Sequence, residues 1–392
     1  MSKNLLFIPG PVTVAESVLS ALAQPLIDHR GPEFKALLGS IAARMKPIFG
    51  TELAEVVLLT ASGTGGLEAA VASLFGPGDR VLACPIGVFG KRLIAIAQTF
   101  GCEVEVLETE WGSALDPQAL RARLAADTER RIAGVLLTHN ETSTGTQNDM
   151  AALAAAIRGH GAFTVVDSVS GLAAGDFRMD EWGYDIVVTA SQKALAAPPG
   201  LAMVAVAPRA WERMDANRGA QRFYFDLRKA REFAKLGQTP WTPPVSIAFA
   251  LDAALDDFGR VGARATWERH TRYARAIRAG VTALGLRIYS REGAHSVTVV
   301  AIEVPEGLDG DGIRKTLREQ RGVVIGGGQG PLKGKLFRIG TMGDLSQTDV
   351  LGALGALEIA LLEAGYSLKL GSGVQAALRI FLEDDQAAPA AV

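Results

Sequence analysis

The sequence predicts an α/β protein, with a large domain built on a mostly parallel seven-stranded sheet flanked by helices and a smaller C-terminal α+β domain. Between residues 54 and 208, short apolar runs alternate with helix-like segments, the pattern of a parallel sheet covered on both faces. After residue 245 this alternation stops, and long segments rich in Ala and Arg follow. The change of texture predicts a second domain.

The elements of the large domain follow one another with short connections. Turn residues separate them, as at Gly76-Pro77-Gly78-Asp79 before one strand. The seven strands are predicted at 56–61, 80–84, 103–108, 132–138, 163–167, 184–190 and 201–207. The helices between them are predicted at 66–75, 89–100, 116–126 and 149–159. Ligands of such sheets bind beyond the carboxyl ends of the strands, so functional residues are expected there.

The second domain is predicted from longer segments. They are a helix over 246–284, a strand at 297–304, a helix near 311–320, a strand at 336–340 and a final helix over 347–364. We divide the chain into an N-terminal arm (1–20), a large domain (21–260), a small domain (261–370) and a tail (371–392). The Ala-rich end of this tail is expected to be loose.

Composition fits a globular enzyme and disfavours several other classes. The chain has 392 residues, of which 48% are hydrophobic and 21% charged, as in ordinary globular enzymes. Its 40 basic and 42 acidic residues give a net charge of −2, which offers nothing to nucleic acid or to an anionic membrane surface. No apolar run has the length of a signal peptide or a membrane span, and a cytoplasmic protein is expected. Cys84 and Cys102 form no CxxC pair, so no metal site or disulfide is predicted.

The most informative segment surrounds Lys193, which follows an apolar strand and precedes a rigid Pro198-Pro199-Gly200 turn. A charge at the end of a buried strand is costly unless it performs chemistry, although a surface loop lysine is the alternative. Asp167 ends the preceding strand, so amine and carboxylate are expected at one edge of the sheet. The pair suits pyridoxal phosphate (PLP), with Lys193 making a Schiff base and Asp167 keeping the pyridinium nitrogen protonated.

A second motif, Thr60 to Gly66, predicts a phosphate site. It follows a strand and opens a helix, whose free N–H groups and dipole attract an anion. Ser62 and Thr64 add hydroxyl donors, and Gly63 lets the backbone approach closely. Glu68 stands where a dinucleotide fingerprint has its third glycine, and no P-loop lysine follows. A plain strand–helix turn is the alternative.

Three more features lie in or after predicted strands. Phe89 could stack on a flat cofactor ring or be a core aromatic at a helix start. The polar run 138–145 offers donors for a ring hydroxyl, a phosphate or a substrate, or else caps a loop; its His139 is interpreted as structural. Arg338, within an apolar strand, needs an anion, either a substrate carboxylate or a structural ion-pair partner.

Together these residues resemble the class V aminotransferases of PLP fold-type I, most closely the alanine–glyoxylate and serine–glyoxylate (serine–pyruvate) group. The resemblance extends from Pro9-Gly10-Pro11 to about residue 365. Its most specific motif is the run 191–200 around Lys193, followed by the run 138–145. The resemblance implies bound PLP and a homodimer with shared active sites.

The resemblance also implies the roles of the residues around the cofactor. Lys193 would hold PLP and then carry the proton, while Asp167 would pair with the pyridine nitrogen. Val169 would pack beneath the ring, and Phe89 would stack on it where relatives often carry Trp. Thr142 would contact the ring on the side of its hydroxyl.

The remaining implied roles concern the phosphate and the substrate. The phosphate ligands would be Ser62, Gly63, Thr64 and Gln192. Thr242 would reach the phosphate held by the partner subunit, and Arg338 would clamp the substrate carboxylate. Two departures leave the substrate open: Thr239 stands where a tyrosine is frequent, and Thr64 stands where mammalian-type enzymes carry His. The run 28–31, Asp-His-Arg-Gly, resembles the serine–glyoxylate branch.

The predicted function is therefore a two-stage transamination between alanine or serine and glyoxylate or pyruvate. The alternatives are an aspartate– or ureidoglycine–glyoxylate aminotransferase, or a lyase or desulfurase of the same fold. A desulfurase needs a mobile cysteine, and none occurs near 326–335. A nicotinamide dehydrogenase lacks support because the third glycine is missing. A catalytically inactive binding protein is disfavoured by the complete set of Lys193, Asp167 and Arg338.

Overall fold

The computed structural model describes residues 4–217 and 222–387, with side chains up to residue 383. Its strands are β1 (Leu5–Phe7), β2 (Glu55–Thr60), β3 (Arg80–Cys84), β4 (Glu103–Val106), β5 (Ile132–Thr138), β6 (Asn140–Glu141), β7 (Thr146–Gln147), β8 (Phe163–Asp167), β9 (Ile186–Ala190), β10 (Leu201–Val206), β11 (Val299–Glu303), β12 (Val323–Gly327) and β13 (Leu336–Gly340). Its α-helices are α1 (Glu16–Ala21), α2 (Pro32–Phe49), α3 (Gly63–Leu74), α4 (Val88–Thr99), α5 (Pro117–Ala125), α6 (Met150–Ile157), α7 (Met179–Trp182), α8 (Pro208–Ala216), α9 (Leu227–Lys235), α10 (Val245–Val261), α11 (Ala263–Ala283), α12 (Gly310–Arg321), α13 (Gln347–Glu363) and α14 (Ser372–Ala387).

A seven-stranded sheet, here called the large sheet, has the strand order β2-β10-β9-β8-β5-β3-β4. Strand β10 is antiparallel to both of its neighbours, and the other neighbouring pairs are parallel. The mostly parallel seven-stranded sheet predicted from the sequence is thereby confirmed. Every residue of β9 and β10 is buried. Continuous Val- and Ala-rich runs suit this position, because helices cover both faces of the sheet.

Two apolar cores lie on opposite faces of the large sheet. Alternate residues of β10 divide between them, with Met203 in one core and Val204 in the other, as the two-residue period of a strand requires. Helix α2 packs into the first core through Ile41, and α3 packs into the second through Leu67 and Val71. The sheet is therefore held rigidly, and its strand ends are fixed positions for functional side chains.

A four-stranded sheet, here called the small sheet, has the order β1-β12-β13-β11. Strand β1, from the predicted N-terminal arm, pairs in parallel with β12, and β12 and β13 are antiparallel. Neither β1 nor β12 is predicted from the sequence, because β1 has only three residues and β12 ends in Gly326-Gly327, which weaken a strand pattern. The N-terminal segment thus joins a sheet formed by the end of the chain.

The structure corrects one prediction near the C-terminus. The helix predicted over 246–284 is broken at Gly262, whose φ of 87° is left-handed, so α10 and α11 are separate helices. Most of the predicted tail forms helix α14, which packs against α11 and α13 and was not predicted as an element. Its Ala377 and Phe381 are buried, and the Phe381 ring lies 6.0 Å from that of Tyr273. Residues 388–392 lie outside the described part of the chain.

Among the described residues, every helix is too short or too polar to span a bilayer.

Candidate active site

Polar side chains gather along one edge of the large sheet, where the parallel strands β2, β3, β5, β8 and β9 have their carboxyl ends. Each of these ends leads directly into one of the sequence motifs. The segments that follow them carry, respectively, Ser62, Phe89, Thr142, Val169 and Lys193. A single edge therefore holds most of the predicted site.

Lys193 is held in a site that disfavours its charge. Its Nζ donates a 2.6 Å hydrogen bond to the backbone oxygen of Pro9. Burial lowers the pKa of Lys193 to about 8, although Asp167 opposes this shift and two arginines, Arg338 and Arg92, add to it. The amine is consequently more available as a nucleophile near neutral pH than an ordinary lysine.

The backbone segment 9–11, which contacts Lys193, requires a glycine at position 10. A Cβ on Gly10 would lie only 2.8 Å from both Cδ and Nζ of Lys193, and the φ of Gly10 is +121°. A side chain there would therefore meet both backbone strain and the lysine. The family resemblance begins at Pro9-Gly10-Pro11, but nothing in the sequence predicts that the Pro9 carbonyl accepts a hydrogen bond from Lys193.

Asp167 is the last residue of β8 and is buried. Its Oδ1 accepts a hydrogen bond from the Val169 N–H at 3.0 Å, while Oδ2 accepts none from residues 4–217 or 222–387. Burial raises the pKa of Asp167 to about 6, a rise that the Val169 N–H and Lys193 oppose and Glu141 reinforces. Oδ2 of Asp167 could accept a hydrogen bond from a donor such as a protonated ring nitrogen.

The predicted phosphate cup lies at the start of α3, beside Val169. Ser62 is the N-cap residue of α3, yet its side chain makes no capping hydrogen bond and is exposed. A Cβ on Gly63 would lie 2.6 Å from Cγ2 of Val169, which shows how closely the cup packs against the segment after β8. Within the described residues, the Gln192 side chain, which follows β9, makes no hydrogen bond, so its amide N–H₂ is free to donate to an anion. The free Ser62 hydroxyl and the N–H groups at the start of α3 fit a phosphate.

Arg92 links the cup to the predicted stacking residue and was not predicted from the sequence. Its Nη1 donates a 3.1 Å hydrogen bond to Oγ1 of Thr64, and its guanidinium carbon lies 4.6 Å from the centre of the Phe89 ring. Arg92 follows Phe89 by one helical turn, and this spacing is the signal that could have revealed it. It adds a positive charge beside the cup.

In the polar run 138–145, Thr142 and His139 have hydrogen-bond partners within the protein. Oγ1 of Thr142 donates to Oγ of Ser170 at 2.8 Å, and the Thr142 carbonyl accepts from Arg338. His139 is buried, with Nδ1 2.8 Å from Oγ of Ser168. Burial lowers the pKa of His139 to about 4, so a neutral structural histidine fits.

Arg338 is buried, and among the described residues it has no carboxylate partner. Its Nε donates to the carbonyl of Gly327 at 2.7 Å and its Nη1 to that of Thr142 at 3.0 Å. Burial lowers the pKa of Arg338 to about 10, and no ion pair among the described residues includes it. The structural ion pair considered from the sequence is therefore not formed there, and the remaining N–H groups can bind a substrate carboxylate.

Other predicted residues and groups lie apart from this cluster. Thr242 is exposed, and among residues 4–217 and 222–387 it makes no hydrogen bond with the predicted site residues. Burial raises the pKa of Cys84 to about 12 and that of Cys102 to about 11, so neither thiol is an activated nucleophile. The described residues contain no cluster of His, Cys, Asp and Glu suited to a metal ion.

Comparison with known proteins agrees with this chemistry. Residues 18–337 match the family described as Aminotransferase class-V. The L-aspartate–glyoxylate aminotransferase of Paracoccus denitrificans (strain Pd 1222) is 39% identical, over 99% of this chain and 98% of its own length. The serine–glyoxylate aminotransferase of Arabidopsis thaliana is 36% identical, over 96% of this chain and 94% of its own. A protein of Anabaena cylindrica named soluble hydrogenase 42 kDa subunit is 38% identical, over 97% of this chain and 99% of its own length.

Solved structures give the same result. Pyridoxamine–pyruvate aminotransferase from Mesorhizobium loti superposes on this chain with a TM-score of 0.93 at 34% sequence identity, and the match covers 98% of both chains. The likeness thus includes the large sheet, the small sheet and the edge that carries Lys193.

Proposed function

Because this chain belongs to the class V aminotransferases of PLP fold-type I and is a PLP-dependent transaminase, we propose that it transfers the amino group of alanine or serine to glyoxylate or pyruvate. One observation carries the proposal. A lysine with a lowered pKa lies beside a buried aspartate and a buried arginine that has no carboxylate partner in the described part of the chain. This set can hold a cofactor and one substrate carboxylate.

Each residue then has a defined task. Lys193 would hold the cofactor covalently through Nζ and, once displaced, would move the proton from the substrate Cα. Asp167 would keep a proton at the ring nitrogen, Phe89 and Val169 would pack on the two faces of the ring, and Thr142 would lie at its hydroxyl. Bound PLP supplies the electron sink for this chemistry.

The cup would orient the cofactor from its other end. The ligands for the phosphate would be Ser62, Gly63, Thr64 and Gln192, with the free N–H groups of α3 and the charge of Arg92 beside them. Arg338 would bind the substrate carboxylate and so direct the Cα–H bond towards Lys193.

A small donor with a single carboxylate is favoured by the state of the two arginines. Arg338 has N–H groups to spare, whereas Arg92 already contacts Thr64 and Phe89. An aspartate donor is the second candidate, since Arg92 lies close enough to Lys193 to lower its pKa and could receive a second carboxylate. The relative from Paracoccus denitrificans, named for aspartate, is consistent with it.

We further propose a cytoplasmic homodimer in which Thr242 completes the phosphate site of the partner subunit. Phe223 is 74% exposed, and it lies beside Trp241, whose ring is stacked 5.6 Å from that of Tyr224. Large exposed aromatics next to Thr242 suit a surface covered by a second copy. Sedimentation should give twice the 41.2 kDa chain mass; a monomer would contradict the shared site.

The function is tested by measuring kcat/KM for alanine, serine and aspartate, each with glyoxylate and with pyruvate. We expect the best pair to combine alanine or serine with one of these two oxo acids. Lys193→Ala should abolish turnover and the cofactor–protein link that borohydride traps. Lys369→Ala, at an exposed lysine far along the chain, is the matched control and should keep both. Full activity in Lys193→Ala would refute the mechanism.

A further inference from the structure

Helix α4, which carries Phe89, begins without a cap of its own. Its N-cap residue is Gly87, which has no side chain to accept a hydrogen bond. The first N–H groups of any helix lack partners within the helix. In α4 these belong to Val88, Phe89 and Gly90, so their acceptors must come from elsewhere.

The acceptors come from the loop after β5. Oγ of Ser143 accepts from the Val88 N–H at 3.0 Å. Oε2 of Glu141 accepts from Phe89 at 3.0 Å and from Gly90 at 3.1 Å. The start of α4 is therefore capped by side chains more than 50 residues away in the sequence.

The carboxylate of Glu141 is buried, and each of its two oxygens accepts two hydrogen bonds. Besides its two bonds to α4, its Oε1 accepts from the N–H and the Oγ of Ser143, at 3.0 and 2.6 Å. Glu141 is 0% exposed. Burial raises the pKa of Glu141, but four donors and a helix N-terminus all favour the ionised form.

The N-cap glycine makes room for this arrangement. A Cβ on Gly87 would lie 2.5 Å from Cγ and 2.6 Å from Cδ of Glu141. A residue with a capping side chain at 87 would thus displace Glu141. The absence of a side chain at Gly87 is therefore what allows the Glu141 carboxylate to cap α4.

The same loop reaches the substrate side of the site. The residue after Glu141 is Thr142, whose carbonyl accepts the 3.0 Å hydrogen bond from Nη1 of Arg338. The negative charge of Glu141 also supports the charged state of Arg338. Two parts of the site, the ring at Phe89 and the guanidinium at Arg338, are therefore fixed to one loop.

We propose that Glu141 is a positioning residue that holds Phe89 against the cofactor ring and Arg338 at the substrate carboxylate. This rests on the proposed function, in which Phe89 stacks and Arg338 binds. The Glu141 carboxylate is enclosed by its bonds to Phe89, Gly90 and Ser143, so it would contact neither the cofactor nor the substrate. Its effect is transmitted through the backbone of α4 and of residues 141–143.

The test is Glu141→Gln, which keeps the shape but turns one acceptor face into an N–H₂ donor facing donors. In the apoprotein, amide hydrogen exchange at Phe89 and Gly90 should accelerate on the order of tenfold, the scale of a lost hydrogen bond to a charged group. The dissociation constant of PLP, titrated by its absorbance, and the KM of the amino donor should each rise on the order of tenfold.

Asp127→Asn is the matched control. Asp127 is also a buried carboxylate that accepts backbone hydrogen bonds, from Arg131 at 3.1 Å and Ile132 at 2.8 Å, but it lies at the opposite edge of the large sheet. The Asp127→Asn variant should have a lower melting temperature but the same PLP affinity and KM as the unmodified protein. If Glu141→Gln does only the same, Glu141 is merely structural and the proposal is wrong.

Ser143→Ala serves if Glu141→Gln does not fold. It removes the Val88 acceptor and one donor to Glu141, so it should speed exchange at Val88 and weaken PLP binding by a smaller factor. Unchanged PLP affinity there would also overturn the proposal. Failure of the proposed function is seen separately, as absence of transamination by the unmodified protein, whereas exchange and PLP binding report on Glu141 alone.

Discussion

The two edges of the large sheet both bury charged groups, but they treat them differently. At the amino-terminal edge, Asp185 accepts hydrogen bonds from the N–H and Oγ1 of Thr164, at 2.8 and 3.0 Å, and from Arg209 at 2.5 Å. Asp127, at the same edge, accepts from two backbone N–H groups and lies 3.2 Å from His160. Burial raises the pKa of Asp127, but these partners outweigh it and lower the pKa below its ordinary value.

At the carboxyl-terminal edge the charged groups contact mainly the backbone. Lys193 bonds to one carbonyl, Asp167 to one N–H and Arg338 to two carbonyls. The pKa values of Lys193 and Asp167 shift towards the neutral forms, to about 8 and about 6. Removing one member of a buried pair leaves an uncompensated charge, so paired charges matter to stability, whereas charges with no ion-pair partner among the described residues leave capacity for a ligand. The difference separates an edge whose charges are satisfied within the protein from one whose charges can bind a ligand.

The largest expected contrast is between two buried aspartates, one at each edge of the large sheet. Asp167→Asn should lower kcat at least about 100-fold, because an amide cannot hold the proton that a positioned carboxylate holds. Asp185→Asn should instead destabilise the protein by about 1–3 kcal/mol, since Arg209 loses a buried partner but remains 45% exposed itself. Steady-state kinetics and thermal unfolding of both variants give the two values. An equal decrease of kcat in the Asp167→Asn and Asp185→Asn variants would contradict the proposed difference between the two edges.

The next contrast concerns the arginines. Arg338→Ala should raise the KM of the amino donor about tenfold or more with a smaller change in kcat, because a charge-assisted bond to the carboxylate is lost. Arg209→Ala should leave KM unchanged. Initial-rate measurements over a range of donor concentrations decide, and a normal KM in Arg338→Ala would remove it from the carboxylate role.

The smallest expected effect is on the stability of the apoprotein. The folded pKa of Lys193 is lower than its unfolded value, so the penalty for burying its charge is fully present below about pH 8 and disappears as the pH rises towards the ordinary lysine value. Lys193→Met should therefore stabilise the apoprotein by about 1–2 kcal/mol at pH 7, discounted from the full shift for partial exposure. Urea unfolding at pH 7 and pH 10 measures it. A gain that does not shrink with pH would point to packing rather than charge.

The strands and the position of the site could be predicted because both follow from local patterns. Val-rich runs between turn residues give the large sheet, and the rule for parallel strands brings their carboxyl ends to one edge. The partners of the site residues could not be predicted in this way. Glu141 capping α4 and the carbonyl of Pro9 at Lys193 are contacts made across the fold, and no local periodicity records them. The contact of Arg92 with Phe89 is local, and its one-turn spacing could have revealed it.

The break at Gly262 and the helix α14 show a second limit. A glycine inside a helical pattern is tolerated in some helices and ends others, and its φ is settled by packing. Apolar residues recur at helical spacing in α14, but a short Ala-rich C-terminal segment gives the same composition as a loose tail.

Pro9 follows strand β1 by two residues, and β1 belongs to the small sheet, whereas Lys193 extends from the large one. Their hydrogen bond therefore joins the two sheets at the lysine amine. A second bond between the same two regions, from Arg338 in β13 to the Thr142 carbonyl, lies on the other side of the cluster. Two of the charged side chains that would face a ligand are thus also ties between the N- or C-terminal segments and the large sheet.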